Sequence, residues 1–278
     1  MTDEARAFVP GHVTGFFTSE QDPDPAKAGS RGGGLALTDG VIVTVRAGDP
    51  GVVLDGEPVR MEAVERVLGA LGVRDRAAVR AQSDLPVGTG FGVSGAAALG
   101  TALAADAAFD CCRTENELVT VAHVAEVEAG TGLGDVVAQA RGGVPLRLEP
   151  GAPAVNELDG ISARPRVEYV VRGELDTAAI LSGDTAALTE AGERALAAVR
   201  EEPTLEAFVE ASRRFAREAG LLTDPVREVI ADVEDAGGRA AMAMLGETVV
   251  APGTGLSEAG YDPEACAVHP GGAAVLPE

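Results

Sequence analysis

The stretch 86-PVGTGFGVSGAAALG-100 decides how this chain reads: glycine at every second residue, then an alanine-rich run. Glycine lacks a Cβ, so backbone can approach a ligand closely and adopt φ > 0 freely. Alanine is the best helix former. The stretch therefore reads as a loop feeding directly into a helix N-terminus, where converging N–H groups favour an anion. The preceding 77-AAVRAQSDLP-86 predicts the strand that delivers the loop.

Several phosphate loops compete for this pattern. G-x-x-x-x-G-K-[ST] requires a lysine on the terminal phosphates, and the chain's one lysine is Lys27, far upstream. Gly90 to Gly95 spells G-x-G-x-x-G, but the dinucleotide fingerprint needs an acidic residue about 20 positions on, at the end of a second strand. That position falls at Glu115, inside the capping box Thr114-Glu115-Asn116-Glu117 between two helices. A protein kinase is excluded because the downstream strand lysine and catalytic loop are missing. What remains is an anion-binding loop that needs no lysine, or a glycine-rich turn before a packed helix, which accounts poorly for four glycines in eight residues.

Outward from the loop, residues 5–10 predict a short strand ending at Pro10-Gly11, and 34-GLALTDGVIVTV-45 predicts a hairpin turning at Asp39-Gly40. A second turn is expected at Asp55-Gly56, and helical spacing of Met61, Val64, Val67, Leu68 and Leu71 predicts a helix over 60–71. The capped helix from Thr114 runs to about Glu128, and a second glycine loop, 130-GTGLGD-135, precedes 136-VVAQARGG-143. After the strand in 143-GVPLRLEPG-151, the Pro- and Gly-rich segment 150–166 reads as a seam. Beyond it come a strand at 167-VEYVVR-172 and helices near 185–200, 204–219 and 224–236. Strands 239-RAAMAML-245 and 247-ETVVAP-252 then meet near Gly246, and 265-ACAVHPGGAAVL-276 closes the chain. Mixed strands, hairpins and helices make the class α+β, divided as 1–160 and 161–278.

Of 278 residues, 46% are hydrophobic and only 3% aromatic, with no Trp, so the core must be Val, Leu and Ala. The formal net charge of −22 argues against nucleic acid or an anionic membrane as partner. The acidic residues are scattered, and acidic excess with one lysine resembles proteins of salt-accumulating haloarchaea. The N-terminus is acidic without an apolar core, so no signal peptide is read, and no apolar run approaches membrane-spanning length. A cytoplasmic protein is expected. Cys111, Cys112 and Cys266 suit neither a disulfide framework nor a zinc site and read as small hydrophobes.

The segment 86-PVGTGFGVSGAA-97 resembles the phosphate-binding motif of the GHMP small-molecule kinases, approximately P-x-x-x-G-x-G-S-S-A-A. Pro86, Gly90, Gly92, Ser94 and Ala96-Ala97 match, while Val93 and Gly95 stand where the family often has serine. The resemblance implies a two-domain fold: an N-terminal mixed or antiparallel sheet with helices, and a smaller C-terminal α+β domain. It implies ATP with Mg²⁺, the nucleotide held by Pro86, Gly88, Gly90, Gly92, Val93, Ser94, Gly95 and Ala96. Asp135 matches the aspartate that faces the substrate hydroxyl in that family. Glu126, with Glu128 as the alternative, matches the magnesium-binding glutamate, and Ser94 supplies a hydroxyl ligand.

At the other end, 8-FVPGHVTGFF-17 resembles the family's first motif, P-G-K or P-G-E, with His12 where mevalonate-type members carry a lysine. Together with 29-GSRGGGL-35 and 125-AEVEAGTGLGDVVAQARGGV-144, these stretches look like the archaeal branch of the family that phosphorylates the C4 hydroxyl of pantoate on the way to coenzyme A. The third motif, glycine-rich elsewhere in the family, stands here as 239-RAAMAMLGETV-249. A carboxylate substrate calls for an arginine clamp: Arg147 first, with Arg31 and Arg141 behind it. His12, Thr14 and Ser30 are expected at the substrate. The expected partners are ATP and pantoate, with a homodimer as the assembly considered. The alternatives are a homoserine- or mevalonate-type kinase and a non-catalytic nucleotide-binding regulator, which would be expected to lose Asp135 or Glu126.

Overall fold

The computed structural model describes residues 4–174 and 185–277. Its spine is a long antiparallel pair, β1 (Glu4–Phe17) and β2 (Gly32–Ala47). β1 does not stop at Pro10-Gly11, and β2 does not turn at Asp39-Gly40. Both expectations fail for one reason. The register jumps from Pro10↔Gly40 to His12↔Ala36, so a β-bulge absorbs the residues that looked like punctuation. Proline, without an N–H, is tolerated in a strand at such a bulge. Gly40 serves close approach rather than a turn: a Cβ there would lie 2.3 Å from the Val9 carbonyl oxygen.

β5 (Ala77–Ser83) pairs antiparallel with β2 and parallel with β3 (Gly51–Leu54). β3 and β4 (Glu57–Pro58) form the expected hairpin, with Asp55 and Gly56 both at positive φ. β6 (Val144–Glu149) joins β2 at Gly32-Gly33, and β7 (Glu157–Ile161) pairs with β6 inside the segment that read as a seam. Its sequence, ELDGI, has no apolar run to announce it; the pairing along β6 creates the strand.

Against this sheet pack α2 (Val93–Phe109) and α4 (Asp135–Arg141), while α1 (Glu62–Ala70) and α3 (Glu115–Ala129) form an outer layer on α2. α2 is buried nearly all round, as a helix apolar on every side should be. Gly100 lets it lie directly on β2, where a Cβ would meet Val43 at 2.5 Å. The capping box at Thr114 and Glu117 starts α3 as the sequence predicts.

A second, all-antiparallel sheet holds β8 (Arg166–Glu174), β9 (Ala241–Ala243), β10 (Gly246–Pro252) and β11 (Glu264–Ala267) in the order β11-β8-β10-β9. The expected helices are α5 (Ala186–Glu201), α6 (Leu205–Glu218) and α7 (Asp224–Asp235); the one-turn α8 (Gly255–Glu258) was not foreseen. Phe16 and Phe17 of β1 pack on Phe208 and Phe215 of α6, with ring centroids 5.7 and 5.5 Å apart. The chain end returns as β12 (Ala274–Val275), pairing with Ala7 and Phe8 of β1. Among the described residues no helix is long and apolar enough to cross a membrane.

Candidate active site

Strand β5 delivers the first glycine loop. Gly88, Gly90 and Gly92 all take left-handed backbone, with φ of 78°, 93° and 64°. The N-terminus of α2 carries no side-chain cap, so its first amides face open space, the arrangement that binds phosphate. The loop is held from outside. Thr89 Oγ1 donates to the Pro86 carbonyl at 2.9 Å, and Thr248 Oγ1 to the Thr89 carbonyl at 2.8 Å. The β9–β10 turn lies against it so closely that a Cβ on Gly246 would be 2.0 Å from the Thr89 oxygen. Gly88, Gly90, Gly92, Val93 and Ser94 line a cleft. Gly95 and Ala96 sit beneath them in the first turn of α2, and Pro86 is exposed at the loop's entrance.

The second glycine loop forms the opposite wall. Gly134, not Asp135, occupies the N-cap of α4, and the Asp135 side chain makes no cap. It turns into the cleft instead, 25% exposed. Asp135 Oδ1 accepts from His12 Nδ1 at 2.7 Å and from Thr14 Oγ1 at 3.4 Å. Burial by itself would raise this carboxyl. The hydrogen bond from His12, with the Arg147 charge and Thr14, holds it below the ordinary aspartate value. Burial pushes His12 down from its ordinary value against the pull of Asp135, so the imidazole is neutral and donates Nδ1–H.

Arg147 of β6 is 2% exposed, and its Nε donates to the Ser30 carbonyl at 3.3 Å. Its Nη1 is buried without a partner. Burial lowers this guanidinium to about 10, with Asp135 opposing. Glycine at 134 makes the arrangement feasible, since a Cβ there would lie 2.4 Å from Ser30 Oγ and 2.6 Å from Arg147 Nε.

Glu126, near the end of α3, is 2% exposed and accepts from Ser94 Oγ at 2.6 Å and Thr131 Oγ1 at 2.9 Å. Burial raises it to about 7 despite both bonds. Glu128 instead points outward, paired with Arg66 at 2.6 Å. Among the described residues no cluster of three or more His, Cys, Asp or Glu could hold a metal. One carboxylate touching one hydroxyl fits Mg²⁺, which keeps waters and takes the rest of its shell from phosphates.

Thr14, Ser30, Asp135 and Arg147 thus share the cleft with the first loop. His12 stands behind Asp135, 0% exposed, rather than on the cleft wall. Arg31 is bound to Glu20 and Glu193, and Arg141 donates to the Gly142 carbonyl. Sequence reasoning missed Phe17, Leu133, Met244 and Leu245 on the cleft wall. It also missed Gln139, whose Nε2 donates to the Gly92 carbonyl at 2.9 Å and ties α4 to the first loop. Its position one helical turn after Asp135, on the same face, was a usable signal.

Residues 59–143 match the family model of the GHMP kinases N terminal domain. The curated pantoate kinase of Methanocaldococcus jannaschii is 33% identical over 247 residues, spanning 87% of this chain and 90% of that protein. That of Thermococcus kodakarensis is 36% identical over 243 residues, 82% and 80% of the two chains. A solved structure described as a phosphotransferase related to the CoA biosynthesis pathway covers 98% of both chains, with TM-score 0.88 and 30% identity. Homoserine kinase from Cytophaga hutchinsonii, at TM-score 0.70 and 17% identity over 99% of this chain and 98% of that one, shares the fold. With the phosphate loop, Ser94 and Asp135 lining one cleft, buried Glu126 bonded to Ser94, and these relatives along most of the chain, the protein belongs to the pantoate kinase family of the GHMP kinases.

Proposed function

We propose that this protein transfers the γ-phosphoryl group of ATP to the C4 hydroxyl of pantoate, giving 4-phosphopantoate and ADP for coenzyme A synthesis. The observation that carries the reading is a single cleft lined by an uncapped phosphate loop, an ionised aspartate and a buried guanidinium with a free Nη1. The acceptors in the relatives' names fit that arrangement.

Backbone N–H groups of residues 88–95 hold the ATP phosphates, so no lysine is needed. Ser94 and Glu126 would hold Mg²⁺, and a metal there would supply charge neutralisation for the transferring phosphates. Arg147 Nη1 pairs with the pantoate carboxylate, the charge-assisted bond a buried guanidinium favours, and Ser30 and Thr14 flank it. Asp135 orients the C4 hydroxyl and accepts its proton as that oxygen bonds to the γ-phosphorus and the bond to ADP breaks. Because the transition state is loose, orientation is the larger part of this contribution. In this reading 1–160 carries the nucleotide and acceptor sites, and 161–278 supports them through the β9–β10 turn. The acidic composition supports a cytoplasmic, salt-adapted enzyme.

The test is an acceptor panel with the purified protein, ATP and Mg²⁺ in concentrated KCl: pantoate, mevalonate, homoserine and pantothenate. ADP should form with pantoate, and NMR of the product should place phosphate on C4. Preferential turnover of another acceptor overturns the reading.

A further inference from the structure

His12 is fully buried, yet its Nδ1 lies 2.7 Å from Asp135 Oδ1 across 123 residues of sequence. Three features place it there. The bulge between Pro10 and His12 interrupts the regular β1–β2 register at this residue. Its backbone N–H donates to the Phe91 carbonyl of the first glycine loop at 2.9 Å, which anchors β1. Glycine at 34 leaves the volume for the ring, because a Cβ there would sit 2.1 Å from Nε2.

The remaining chemistry is restrictive. Nε2 is buried and has no partner. An imidazolium would need acceptors at both nitrogens, and only Nδ1 has one. With Nδ1–H donated to a carboxylate, Nε2 is a lone pair in a closed space, so the ring has no route for a proton to or from solvent. Asp135 Oδ1 is thereby engaged, by His12 and more weakly by Thr14, and no described donor reaches Oδ2.

We propose that His12 is the positioning residue of Asp135: its neutral ring donates Nδ1–H to Oδ1, sets the rotation of the carboxylate and leaves Oδ2 for the acceptor hydroxyl. It touches no substrate and carries no proton. The inference rests on the assignment of Asp135 as the group that meets the acceptor.

His12→Leu fills the space without a donor, and His12→Asn keeps a donor near the Nδ1 position. Misplacement of a reacting group costs ~10²-fold, so kcat of His12→Leu should fall by that order while KM for ATP and acceptor stays unchanged. His12→Asn should recover most of the loss. In an Asp135→Asn background, His12→Leu should cost nothing further. Unchanged kcat in His12→Leu, or a loss confined to acceptor KM, overturns the proposal. If His12→Leu does not fold, ¹⁵N NMR of the wild-type histidine decides: protonated Nδ1 with bare Nε2 supports it, and the Nε2–H tautomer overturns it. Each variant is compared with wild type on whichever acceptor wild type phosphorylates. Failure of the pantoate reading then shows in the acceptor panel, and failure of this inference shows in the ratio.

Discussion

The two glycine loops are spelled almost alike, GTGFG at 88–92 and GTGLG at 130–134, and they use glycine for different reasons. In the first, all three glycines are left-handed, a conformation an L side chain resists. In the second only Gly130 is, as the C-cap of α3. Gly132 and Gly134 are not left-handed, but they have no space: a Cβ would meet Glu126 Oε2 at 2.6 Å and Ser30 Oγ at 2.4 Å respectively. One loop is shaped by its own backbone so that amides converge. The other is hollowed so that Asp135, Glu126 and Arg147 crowd together. A short glycine motif can therefore encode either a conformation or a vacancy, and only neighbours distant in sequence distinguish them.

The largest expected effect lies in the second loop. Asp135→Asn keeps the size but removes the charge that Arg147 and His12 sustain. A positioned base contributes ~10²–10⁴-fold, so kcat should fall by that range while ATP affinity, measured by calorimetry, is retained. Near-normal turnover would reduce both loops to phosphate binding and packing.

Glu126 comes next, because it touches both loops. Glu126→Gln should depress turnover strongly, and its stability profile adds a second readout. Burial raises this carboxyl to about 7, so between its ordinary value and 7 the folded chain keeps a proton that the unfolded chain has lost. Stability from this group is complete below the ordinary carboxylate value and is lost as pH rises through about 7. Without nucleotide, Glu126→Gln should flatten that fall, by roughly 3 kcal/mol at most. Denaturant melts at pH 5 to 8 that match wild type would place Glu126 in water.

Alanine at one glycine of each loop tests the comparison directly. Gly90→Ala forces a left-handed alanine at a cost of about 1–3 kcal/mol, and should raise KM for ATP. Gly134→Ala pushes on Ser30 and Arg147 and should raise KM for pantoate, with ATP little changed. Steady-state kinetics giving the same pattern for both would erase the distinction. The smallest effect is common to both loops. With a net charge of −22, self-repulsion is screened when the Debye length reaches ~3 Å, near 1 M salt, so the melting temperature should climb with KCl. A flat profile from roughly 0.1 to 2 M would contradict salt adaptation.

Features under local physical control were legible in the chain alone. Glycine density before an alanine run announced the phosphate loop, Thr114 and Glu117 announced α3, and Asp55-Gly56 announced its turn; each needs only a few neighbouring residues. The absence of any lysine near residue 90 excluded the lysine-dependent phosphate loop for the same reason. Tertiary structure decided everything that depends on pairing across the chain. Pro10-Gly11 and Asp39-Gly40 looked like ends and became a bulge, because each strand supplied the other's hydrogen bonds. ELDGI became β7 because β6 lay beside it. The surroundings of Asp135 come from β1, α3 and β6. No window of sequence contains residues 12, 34, 126, 135 and 147 together, and the burial and partner contacts that move the ionisable ones from their ordinary values exist only once the chain has closed around them.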